Sequence, residues 1–133
     1  MNIIANETYH IYNQGNNQET IFYRDSDYKE FLKLFKNYVL PYGKVLAYCL
    51  MPNHFHFLIH ATDDSTKIKR IGNIDLCELS NGFRLLQSNY AQYINKKKTA
   101  AAPYSGKKQK QNHCLMVMNI MILLPFNISI KTL

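Results

Sequence analysis

The stretch KVLAYCLMPNHFHFLIHA, residues 44–61, constrains the fold more than any other. Two apolar runs flank a tight turn at Met51-Pro52-Asn53, which predicts a β-hairpin in the middle of the fold. Alternate side chains of a strand share a face. Phe55, Phe57 and Ile59 therefore face one way and can bury against helices. His54, His56, Leu58 and His60 face the other way, on the side that helices leave open.

The flanking chain supplies those helices. TYHIYNQ alternates and predicts a strand over Thr8–Gln14, and IFYR predicts a short extended piece after the GNNQET loop. Asp25 or Ser26 can cap a helix in which Tyr28, Phe31, Leu32, Phe35, Tyr38 and Val39 recur at helical spacing. Pro41 ends it. TDDSTKIKRIGN reads as a polar loop. A long helix follows over about 75–95, with Leu79, Phe83, Leu86, Tyr90 and Ile94 on one stripe. The order strand, helix, strand, strand, helix predicts an α+β fold. A last strand would complete a ferredoxin-like βαββαβ layer, an antiparallel sheet with helices on one face and the histidines on the other. Residues after Asn112 would have to supply that strand, and nothing there alternates cleanly. The expected division is a domain over 1–98 and a basic, then apolar, tail over 99–133, poorly ordered or out of frame.

Charge points to the partner class. There are 16 Lys plus Arg against 9 Asp plus Glu, a formal net charge of +7. Such a balance favours a polyanion, nucleic acid before an anionic membrane surface. CLMVMNIMILLPF is too short to span a bilayer and carries Asn119 and Pro125, so no membrane anchor is expected. MNIIANETYH lacks the basic and apolar regions of a signal peptide. Cys49, Cys77 and Cys114 are scattered, with no CxxC, which supports neither a disulfide framework nor a cysteine zinc site. A reducing, cytoplasmic location fits.

Two imidazoles at i and i+2 of one strand can converge on one divalent ion. Two ligands are too few for tight structural binding. They suit a labile site completed by another side chain, water and substrate oxygens. The bland alternative is a pair of partly exposed strand histidines with no ligand. His60, at the strand end, reads as a surface residue rather than a third ligand.

The block YCLMPNHFHFLI resembles the signature of the IS200/IS605-like (Y1) transposases, more specifically the REP-associated tyrosine transposases of the HUH endonuclease superfamily. H-U-H, with U a bulky apolar residue, is here His54-Phe55-His56. YHIYNQGNNQETIF resembles the family's first strand and loop, DYKEFLKLF its first helix, and FRLLQSNYAQYINKKK the helix after the histidine strand. The resemblance covers about Thr8 to Lys98. It implies that His54 and His56 hold Mg2+ or Mn2+, which polarises a scissile phosphate of single-stranded DNA. It implies a tyrosine nucleophile that becomes joined to the 5′ end of the cut strand. It implies DNA hairpins as partners and a monomer or homodimer. Arg84, Lys96, Lys97 and Lys98 fit such DNA through phosphate contacts.

The nucleophile has no assigned residue. In the REP-associated group it resembles the first residue of Y-I-H-x-N-P, and this sequence has no such motif. Tyr90 falls on the apolar stripe. Tyr93 flanks that stripe and is carried as a candidate, without the family context or a positioned base. Codons offer a cause. Read from the third base of each codon, MVM forces glycine, MN glutamate and MI aspartate. In that frame PFNISIKTL permits F-Q-Y-I-H-Q-N-P, and AAAPYSGKKQKQ permits G-S-P-L-F-R-K-K-T-K-A. A frameshift near Lys96-Lys97-Lys98, in an adenine run, would leave the tail untranslated in its proper frame. The expected product is a truncated copy that does not cleave. The alternative is a non-catalytic module binding single-stranded nucleic acid on the same layer.

Overall fold

The computed structural model describes residues 3–14, 19–100, 113–115 and 127–129. The chain is α+β. Strand β1 is Thr8–Gln14, helix α1 Asp25–Tyr38, strand β2 Gly43–Met51 and strand β3 His54–Ala61. A short helix α2, Asp63–Thr66, leads to strands β4, Ile68–Ile71, and β5, Ile74–Cys77. Helix α3 runs over Glu78–Ala100, and strands β6, His113–Leu115, and β7, Asn127–Ser129, follow.

The main sheet has the order β6-β2-β3-β1-β7. Its centre is antiparallel: β3 pairs with β2 on one side and β1 on the other. β6 extends β2 in antiparallel fashion, whereas β7 lies parallel to β1. Along β3, buried and half-buried residues alternate without a break. Phe55, Phe57 and Ile59 are fully buried. Phe57 stacks on Phe35 of α1, with ring centroids 4.2 Å apart, and meets Phe83 of α3 at 6.0 Å. Phe55 meets Phe31 at 5.1 Å. Both long helices thus pack on the phenylalanine parity of β3, and the histidines take the other parity. Gly82 lets α3 approach the end of α1, since a Cβ there would collide with the Tyr38 carbonyl.

Several sequence expectations need correction. The supposed polar loop holds α2 and β4, and β5 follows it, so that α3 begins at Glu78 rather than near residue 75. Ile74–Cys77 pairs with Ile68–Ile71 around a tight turn in which Gly72 has φ 60°. IFYR, expected as a short extended piece, joins no sheet. The amides of Ile21 and Phe22 both donate to the Pro52 carbonyl, which pins the segment to the β2–β3 turn without a ladder. The cap of α1 is neither Asp25 nor Ser26: Arg24 occupies the cap, and Asp27 accepts from the amides of Tyr23 and Arg24. Cys49 is disulfide-bonded, in a ladder whose register sets it opposite Cys114, so the expectation of unpaired thiols fails there. Sheet pairing brings together cysteines that sequence separation hides. Cys77 is free and buried. The helix passes the expected domain boundary at Lys98, and most of the tail over 99–133 lies outside the described residues. Among the described residues no helix is long and apolar enough to cross a membrane.

Candidate metal centre

The half-buried parity of β3 carries His54, His56, Leu58 and His60. The register sets Tyr12 opposite His56 and His10 opposite Leu58 on β1. Cys49 and Met51 of β2 stand opposite His56 and His54. The rings of His54 and His56 meet edge to face, with centroids 5.1 Å apart. The His10 ring lies nearly parallel to His56, 5.0 Å away and tilted by 13°. The Tyr12 ring neighbours the same imidazole, with centroids 5.8 Å apart and planes tilted by 26°. Beside them is a shallow concavity of about 230 Å³, bordered by His10, Ala47, Cys49, His56 and Leu58.

Hydrogen bonds engage the same ring nitrogen in both signature histidines. His54 Nδ1 lies 2.6 Å from Asn53 Oδ1. An amide oxygen only accepts, so Nδ1 donates and the neutral ring keeps its lone pair on Nε2. His56 Nδ1 lies 2.8 Å from His10 Nε2. A ligating imidazole is oriented by an outer partner on its other ring nitrogen, and the Nδ1 contacts of both histidines suit that arrangement. Asn53, in the turn that sets up β3, thereby acquires a chemical reason to be there. His60 is paired separately, its Nδ1 3.2 Å from Thr8 Oγ1, and stays apart from the pair.

Neutral nitrogen donors fit a borderline divalent ion, so they fit Mn2+ better than the harder Mg2+. Among the described residues no third His, Cys, Asp or Glu joins them in a ligand group. Water or substrate oxygens can complete the coordination of a two-imidazole site.

Burial, with the neighbouring His10 and His54 adding to it, holds His56 below the usual histidine range. The folded chain therefore resists protonation there more than the unfolded chain does. The stability carried by neutral His56 is complete above its unfolded pKa, near 6.5, and is lost as pH falls below that. Urea titrations of the metal-free chain should give a lower midpoint at about pH 5.5 than at about pH 7.5. His56→Gln should flatten that dependence.

The other sequence candidates lie elsewhere. Tyr90 is buried, and its hydroxyl donates to the Ile21 carbonyl. Tyr93 sits in the helix layer, its hydroxyl 3.1 Å from Asp27 Oδ1, and does not meet the histidines. Lys97 makes an ion pair of 3.0 Å with the fully buried Asp27. Burial opposes its charge, but the bonds to Tyr93 and Asp27 prevail and raise its pKa. The Arg84 guanidinium is held by Asn81 Oδ1 through Nε and Nη2. Lys98 lies 5.5 Å from the Tyr23 ring centroid. Lys96 is exposed. These four cations belong to α3, which packs on the phenylalanine parity of the sheet. The sequence reading missed His10 and Tyr12. Their shared parity in TYHIYNQ was visible, but the pairing of β1 with β3 was not.

No family model matches the chain, and neither a curated protein nor a solved structure does.

Proposed function

We propose that residues 1–98 are an IS200/IS605-like transposase domain of the REP-associated, HUH type. It acts on single-stranded or hairpin DNA, and this copy does not cleave. The carrying observation is that His54 and His56 share one side of β3, each with Nδ1 in a hydrogen bond to a described neighbour. The element order from β1 to α3 agrees with a ferredoxin-like layer, although β7 lies parallel to β1, where that layer calls for an antiparallel last strand.

In this reading the two Nε2 atoms hold Mn2+ or Mg2+, which supplies Lewis-acid polarisation of a phosphate oxygen when bound. Asn53 fixes the tautomer of His54. The basic helix end steers the strand through phosphate contacts. In this reading the nucleophile is lost: the hydroxyls of Tyr90 and Tyr93 are engaged in the helix layer, and Tyr12, whose ring centroid lies 5.8 Å from that of His56, lacks the family context. The frameshift accounts for that loss, and most of the residues it concerns lie outside the described ones. A coding sequence unable to spell Y-I-H-Q-N-P in the shifted frame would end that part of the reading.

The test is incubation with Mn2+ and single-stranded hairpin DNA taken from beside the gene, followed by a denaturing gel. Salt-sensitive binding without a protein–DNA adduct is expected. An adduct would overturn the inactive copy, and absence of DNA binding would overturn the transposase domain. A second reading, a non-catalytic single-stranded nucleic-acid module, draws on the neighbouring rings of His10, Tyr12 and His56, which share one side of the sheet. Equal DNA binding with and without Mn2+ would favour it.

A further inference from the structure

We propose that His10 is the positioning residue of the centre: it accepts a hydrogen bond from His56 Nδ1–H and so presents His56 Nε2 to the ion. This rests on the reading that His54 and His56 hold a divalent ion.

The nitrogen–nitrogen contact between His10 Nε2 and His56 Nδ1 is 2.8 Å. Exactly one proton can sit in it, so one ring donates and the other accepts. If His10 donated, the neutral His56 would carry its proton on Nε2 and could not ligate. If His56 donates, its Nε2 lone pair is free and its basicity rises through the bond. The second case gives His56 the tautomer that Asn53 imposes on His54 across the 2.6 Å contact. Two different acceptors, one from the turn and one from β1, then prepare two ligands alike. With centroids 5.0 Å apart and planes tilted by only 13°, the two rings meet edge to edge, so the bond lies in both ring planes as an imidazole hydrogen bond requires. The committed Nε2 also bars His10 from ligating through that atom. That agrees with the absence of a three-residue ligand group among the described residues.

Long-range proton–nitrogen NMR of the full chain without metal reads each ring tautomer, and Mn2+ titration reads affinity. In the unsubstituted chain, His56 is expected to carry its proton on Nδ1. His10→Leu, which has no acceptor, should mix the two tautomers and weaken Mn2+ binding about 10- to 100-fold. His10→Gln, whose amide oxygen can accept, should restore both. Signal dispersion shows whether each variant is folded, and the unsubstituted chain decides the tautomer if His10→Leu unfolds. A proton on Nε2 of His56 overturns the proposal. So does His10→Leu with unchanged tautomer or unchanged affinity. If His56 carries Nδ1–H but the unsubstituted chain takes up no Mn2+, the hydrogen bond stands and the metal reading falls.

Discussion

Asp27→Ala is expected to destabilise the fold by about 3–5 kcal/mol, the range for removing one partner of a buried charged network. Asp27 is fully buried. Its Oδ2 accepts from the amides of Tyr23 and Arg24, and its Oδ1 from Tyr93 and Lys97. One carboxylate thus satisfies orphan amides at the start of α1 and ties that end to α3. Alanine leaves those donors without their acceptor and leaves Lys97 beside a cavity. Lys97→Ala should cost much less. The Lys97 side chain is 31% exposed, and Asp27 keeps three other donors without it. Urea unfolding of the two variants measures the difference. Equal losses would mean that the ion pair, rather than the amide bonds, holds the joint. The comparison also bears on function, because it assigns Tyr93 and Lys97 to the helix joint.

What the sequence disclosed follows from how unequal the two faces of each element are. HFHFLIHA was legible because phenylalanine and histidine alternate, and one face has helices to meet. The stripe from Leu79 to Ile94 was legible for the same reason. The β4–β5 hairpin was not, since Ile68 and Ile74 are exposed and Cys77 alone of the eight strand residues is buried, too few to betray a period. Asp27 was hidden because three acidic or hydroxylic residues in a row, Asp25, Ser26 and Asp27, all suit a helix start. Only tertiary packing selects the one that meets Lys97. His10 was hidden because its partner is far away in the chain, and strand pairing between distant segments leaves no local mark.

The double variant His54→Ala, His56→Ala is expected to abolish the stabilisation that Mn2+ gives to the unsubstituted chain. Binding to the native state alone adds RT ln(1 + [L]/Kd), about 2.7 kcal/mol at a hundredfold excess over Kd. In a domain of this size that is a rise of about 10 °C in Tm. The histidines occupy the half-buried parity of β3, so their loss opens no cavity among Phe55, Phe57 and Ile59. The metal-free variant should therefore melt close to the metal-free unsubstituted chain. Phe57→Ala, on the opposite parity, should lower the melting point with or without Mn2+, since a buried phenylalanine truncation costs about 3–5 kcal/mol. Thermal melts of the three chains, each with and without Mn2+, separate the two faces of one strand. A Mn2+-dependent rise that survives in the double variant would place the ion elsewhere and sink the metal centre. No rise in any chain would leave the histidine side of the sheet to the nucleic-acid reading alone.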